Sequence, residues 1–205
     1  MFYKNYIDAL SQSMNDVVFT DIKENEIEQS NGLEILCELS RDVKAKNKTK
    51  YLCGNGASAS ICNHMALDWS KNGSVKTSAF SDSALFTALV NDLGVEEIFS
   101  APLQYYANKG DLLVTISSSG NSVNIINAIK KAREIGMRVI TLSGLKMENK
   151  SRLLGDINIY VPAKTYGIVE SVHAIIMHAW LDKYMGIAEW DRNYYQNMKK
   201  DQFQL

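Results

Sequence analysis

Six consecutive residues, Ser117-Ser118-Ser119-Gly120-Asn121-Ser122, place five polar side chains between the apolar run Leu112–Ile116 and a helical pattern over 123–135. This reads as a buried strand, a hydroxyl-rich turn and a helix start. A helix start presents unpaired backbone N–H groups and the positive end of the macrodipole, and both suit an anion. Serine hydroxyls add donors that wrap phosphate oxygens without adding charge. Ser119 or Asn121 could instead serve only to cap the helix. A cap needs one such residue and this turn supplies five, so the sequence favours phosphate binding.

A second loop, Gly54-Asn55-Gly56-Ala57-Ser58, follows a strand ending at Cys53. Its small residues let backbone approach a ligand, and Ser58 is placed to cap the next helix. Neither loop has the three spaced glycines of the dinucleotide fingerprint or the Gly-Lys-Ser/Thr ending of a phosphate loop. A small phosphorylated metabolite fits better than a nucleotide.

The three histidines lie on two helices. His64 and Asp68 are four apart and share one face. Glu170, His173 and His178 sit on the last long helix, where Glu170 and His178 differ by roughly 80° around the axis and roughly 12 Å along it. These groups suit a divalent cation, although a single His on a half-apolar helix is more often a hydrogen-bonded core or interface residue, and an Asp four residues on often just pairs with it. Glu170 and His178 meet at one ion only if extended side chains lean together or copies of the chain share the site.

Positioning these residues requires a larger frame. The chain has 205 residues, is 46% hydrophobic and 22% charged, and carries a net charge of −1. That composition buries a proper core and gives no basic surface for nucleic acid. No apolar stretch approaches the roughly 20 residues that span a bilayer, and the first residues lack a signal-peptide plan. Three cysteines, Cys37, Cys53 and Cys62, form no even framework, which fits a reduced, cytoplasmic protein.

Apolar residues at helical spacing (Ile7, Leu10, Met14 and Val17, then Ile27, Leu36, Leu39 and Val43) predict two helices within 1–48. The period then changes. Short apolar runs at 50–54, 75–80, 112–116, 138–142 and 157–161 alternate with helical stretches at 58–72, 83–107, 122–136 and 146–154, before a long helix from Ile168 to Tyr184. This predicts an α/β fold: a three-layer, doubly wound, five-stranded parallel sheet with an N-terminal helix pair. Ligands then bind outside the carboxyl ends of the strands, where both loops fall. The expected organisation is one domain over 1–205, with a helical extension at 1–48, an α/β core at 49–184 and a tail at 185–205.

The ordered set Cys53-Gly54-Asn55-Gly56-Ala57-Ser58, His64, Asn91-Asp92, Ile116 to Ser122, Thr141-Leu142-Ser143-Gly144 and Glu170-Ser171-Val172-His173 resembles sugar isomerase (SIS) domains. Within that superfamily it is most similar to the phosphoheptose isomerases, and the likeness runs over roughly residues 1–184. The resemblance implies that Ser58, Ser117, Ser118, Ser119 and Ser122 contact a phosphate. Asn55, Gly56, Asp92 and Glu170 would contact the sugar. His64, Asp68, Glu170 and His178 fall where the family holds zinc, with other divalent metals possible. Asp68 would be the base and His178 the acid of an aldose–ketose isomerisation through an enediolate.

The chain departs from the family at several places. Asp68 replaces a glutamate, Glu170 replaces a glutamine and Asn72 replaces a frequent arginine, and the stretch 163–167 is one residue shorter. Asp68 holds its carboxylate roughly 1 Å back, a displacement that can cost on the order of 100-fold in rate unless the site compensates. The expected activity is conversion of sedoheptulose 7-phosphate to an aldose heptose 7-phosphate for surface polysaccharide, by a homotetramer without nucleic-acid or membrane partners. A non-catalytic SIS scaffold of the kind that associates with replication initiators is the alternative. His178 speaks against it, because an apolar or amide residue there would have favoured the scaffold.

Overall fold

A computed structural model describes residues 1–188 and Trp190. Most of the tail expected at 185–205 therefore lies outside the described residues. Helix α1 (Phe2–Asn15) packs Tyr6, Leu10 and Met14 against the core. The next stretch differs from expectation. Val17 leads into strand β1 (Val18–Asp21), and Ile27 lies in β2 (Glu26–Ile27), so neither belongs to a helix. The β-branched and aromatic run Val17-Val18-Phe19-Thr20 favours extended backbone. The Asp21 carboxylate then accepts from the N–H groups of Lys23 and Asn25, which turns the chain back. Helix α2 (Gln29–Ala45) follows, its first turn capped by Glu28.

Strands β3 (Lys50–Gly54), β4 (Thr77–Ala79), β5 (Leu112–Ser117), β6 (Arg138–Gly144) and β7 (Ile157–Val161) are the five parallel strands expected. The complete sheet has seven strands in the order β2-β1-β7-β6-β5-β3-β4, with β1 antiparallel to both β7 and β2. The N-terminal segment is thus part of the sheet as well as a helical cover. From β3 the chain steps outward to β4, then crosses to the other side of β3 to form β5. This reversal opens a crevice at the carboxyl ends of β3 and β5, where the two loops emerge.

Helices α1, α2, α3 (Ala57–Lys71) and α7 (Tyr166–Met185) cover one face over a core containing Trp69 and Trp180. Helices α4 (Ser83–Leu93), α5 (Ser100–Tyr106) and α6 (Val123–Ile135) cover the other over Phe99, Leu113 and Ile125. The single helix expected at 83–107 is broken because Gly94 takes φ +91°, outside helical backbone. The helix expected at 146–154 is only a short 3₁₀ turn at Ser151–Leu153. A lysine amine is buried in the first core. The Lys50 amine donates to Ser40 Oγ at 2.9 Å and lies 3.1 Å from the centre of the Trp69 ring, and burial holds its pKa well below the usual lysine value.

Candidate active site

The two loops meet at a cavity of about 200 Å³ lined by Asn55, Ser58, Ile116, Ser117, Ser118, Ser119, Ser122, Tyr166 and Glu170. Three helix N-termini converge on it: Ser58 is in the first turn of α3, Ser122 is the N-cap of α6 and Tyr166 opens α7. Their summed dipoles favour an anion, although no lysine or arginine lines the cavity. The hydroxyls are not consumed by capping. Ser122 makes no side-chain cap bond, and the N-cap of α3 is Gly56 while Ser58 is buried within the first turn. Ser118 Oγ is buried with no partner among the described residues. A bound anion's oxygens would satisfy it.

Both α3 and α7 run away from this cavity, and a second cluster forms further along them. His64, Asp68 and His178 bring one ligand atom each to within 4.8 Å of one another. His64 Nε2 lies 3.2 Å from Asp68 Oδ2, and the two imidazole rings are 5.2 Å apart. Two imidazoles and a carboxylate are donors that zinc accepts, and three protein ligands leave a position open as in catalytic zinc sites. The residues present therefore fit the divalent cation expected from sequence.

Two expected site residues lie apart, within the single chain, from the groups they were expected to join. Glu170 stands outside the His64/Asp68/His178 cluster, eight positions before His178 on α7, and lines the serine-rich cavity. Asp92 does not line the cavity either. It lies near the end of α4, where its carboxylate accepts from the Asn91 side-chain amide at 2.7 Å. Gly56 shapes the first loop through its carbonyl, which accepts from the N–H groups of Ala59 and Ser60. Sequence reasoning missed Tyr166, whose position at the opening of α7 was its one available signal.

A profile of the SIS domain family matches residues 12–144. The phosphoheptose isomerase of Helicobacter pylori (strain P12) is 34% identical over 144 residues, 67% of this chain and 74% of that protein. This chain belongs to the SIS domain family. The phosphoheptose isomerase of Aliarcobacter butzleri (strain RM4018) is 37% identical over 140 residues, 65% of this chain and 74% of that protein. Among solved structures, a phosphoheptose isomerase from Neisseria gonorrhoeae superposes with a TM-score of 0.77 at 27% identity, covering 89% of this chain and 95% of that one. The chain sits in the phosphoheptose isomerase branch of the SIS family.

One buried histidine ties the site-bearing helix of this SIS domain to its sheet. His173 has no exposed surface, and its Nε2–H donates to the Ser143 carbonyl at 3.1 Å. Burial disfavours the imidazolium and pushes the pKa from 6.5 down to about 4. Above pH 6.5 the ring is neutral in both folded and unfolded chains. As pH falls from 6.5 towards 4 the unfolded chain takes up a proton that the folded one refuses, so stability is lost across that window. The loss from this group alone amounts to about 3 kcal/mol. His173→Gln keeps a donor and removes the titration. Urea midpoints at pH 7 and pH 4.5 are expected to differ clearly less for the variant than for the wild type, and equal differences would exclude His173 as the source.

Proposed function

We propose that this chain interconverts sedoheptulose 7-phosphate and D-glycero-D-manno-heptose 7-phosphate as a phosphoheptose isomerase. One observation carries the reading: an anion cavity and a His/Asp/His cluster lie on the same two helices, separated along them. Ser58 precedes His64 by six residues and Glu170 precedes His178 by eight, so the cluster lies roughly 9–12 Å beyond the cavity along the axes. A seven-carbon chain held by its terminal phosphate extends its carbonyl end over that distance, and a triose does not.

The serine hydroxyls and helix ends hold the phosphate, while Asn55 and Glu170 face the carbons next to it. Asp68 takes the proton from the carbon beside the carbonyl, and His178 delivers one to the neighbouring position. The base is poised beside His64, whose contact orients the carboxylate. His64, Asp68 and His178 would hold a divalent cation, zinc by donor type, which when bound supplies Lewis-acid stabilisation of the enediolate charge. The product feeds heptose into surface lipopolysaccharide or capsule from the cytoplasm. No described helix is long and apolar enough to cross a membrane. Exposed Phe2, Tyr3 and Ile7 on α1 support assembly into a homotetramer, which a monomer mass in light scattering would exclude.

Incubation of the purified protein with sedoheptulose 7-phosphate and zinc is expected to yield an aldose heptose phosphate by NMR. Absence of any aldose product with zinc, manganese and cobalt in turn would overturn the proposal.

A further inference from the structure

Asn124 is the second residue of α6, is 8% exposed and does not line the anion cavity. Its side chain is nevertheless bound to one that does. Asn124 Nδ2 donates to Asn55 Oδ1 and Asn55 Nδ2 donates to Asn124 Oδ1, each at 3.0 Å, in a reciprocal amide pair. The two residues are 69 positions apart, so the pair bolts the loop after β3 to the helix that follows the serine turn. A reciprocal pair alone leaves a choice, because flipping both amides together preserves both bonds. Here the choice is made by backbone. The Ile125 N–H donates to Asn124 Oδ1 at 2.9 Å, which fixes the oxygen end of Asn124 and, through the pair, the nitrogen end of Asn55. An Asn amide offers two donors and two lone pairs. The pair takes one of each from Asn55 and leaves one donor and one acceptor, in a defined order, for a ligand in the cavity.

We propose that Asn124 is a positioning residue that sets the donor–acceptor polarity of Asn55 toward the sugar. The inference rests on the sugar-phosphate reading above, and its test separates the two. Asn124→Ala frees the Asn55 amide to flip and the first loop to shift, whereas the phosphate end keeps its hydroxyls and helix termini. Calorimetry is expected to show sedoheptulose 7-phosphate binding weakened about ten-fold, with inorganic phosphate changed less than about three-fold. In turnover the loss is expected in KM, with kcat within about three-fold. Against an Asn55→Ala background, Asn124→Ala is expected to add less than about two-fold, since the side chain it positions is gone. Asn124→Leu, which keeps the volume and removes both bonds, serves as the second variant if the alanine cavity unfolds the chain.

Equal effects of the Asn124 substitution with and without Asn55, or a lowered melting temperature with unchanged sedoheptulose 7-phosphate affinity, would overturn the proposal. If the wild type binds sedoheptulose 7-phosphate without converting it, the isomerase reading fails, and the binding cycle still decides the role of Asn124.

Discussion

Asp68→Ala and His178→Ala are each expected to lower kcat/KM for sedoheptulose 7-phosphate about a thousand-fold or more, while leaving the chain folded. General acid–base groups contribute on the order of 10²–10⁴ in rate, and both residues also belong to the set of groups that can hold a cation, so each truncation removes two contributions at once. The fold has little at stake. His178 is exposed and Asp68 partly so, and substitutions at such helix-surface positions usually move stability by no more than about 0.5 kcal/mol. His64→Ala separates the two roles. It leaves the proposed acid and base in place but removes a cation ligand, so bound metal per chain is expected to fall together with turnover. Metal analysis of the three variants beside the kinetic assay checks this. Retention of activity within ten-fold in either Asp68→Ala or His178→Ala would show that the chemistry lies elsewhere, and intact biological activity in both would favour the scaffold alternative.

The parts of this molecule that the sequence disclosed are those written locally. Strands β3 and β7 match the expected bounds residue for residue, because each is a short, mostly apolar run (broken only by Lys50 at the start of β3 and Asn158 within β7) that is buried throughout, as a strand covered on both faces is. The antiparallel pair β1 and β2 was hidden for the opposite reason. It is four and two residues long and lies at the sheet edge, and Val17, just before β1, and Ile27 in β2 happened to continue the helical spacing on either side. The same contrast holds at the site. The serine turn was legible because strand, turn and helix start occupy one stretch of chain. The partnership of Asn55 with Asn124 was not, since nothing local in either asparagine points 69 residues away. Helix arithmetic also anticipated the separation of Glu170 from His178, and within the single chain their surroundings differ: the serine-lined cavity for the first and a histidine–carboxylate cluster for the second.

The serine turn itself rests on a glycine, and Gly120→Ala is expected to cost about 4 kcal/mol of stability. Gly120 takes φ +62°, a left-handed conformation that charges a side chain about 1–2 kcal/mol. A Cβ there would also fall on the side-chain amide of Asn149, well inside contact distance. Asn149 cannot simply swing aside, because it is wholly buried and every arm of its amide is engaged. Its Nδ2 donates to Ser143 Oγ at 3.1 Å and the Lys146 carbonyl at 2.9 Å, and its Oδ1 accepts from Ser151 Oγ and the Arg152 N–H, both at 3.1 Å. Displacing it strands several buried polar groups, each worth about 1–3 kcal/mol when left unpaired. It also loosens the loop after β6 from the turn, which Ser151 N–H holds by donating to the Gly120 carbonyl at 2.9 Å. Gly186→Ala is the comparison: its φ of +76° and ψ of 23° are also left-handed, but the added Cβ meets nothing within 4 Å, so about 1–2 kcal/mol is expected. Urea unfolding of both variants, and of Gly120→Ala in an Asn149→Gly background that also removes the Asn149 Cβ 2.8 Å from the added one, measures the terms separately. In that background the Gly120 substitution is expected to cost no more than its backbone conformation does. If Gly120→Ala proves no worse than Gly186→Ala in the wild-type chain, the glycine is there for its backbone alone, and the buried amide is not what holds the serine turn in shape.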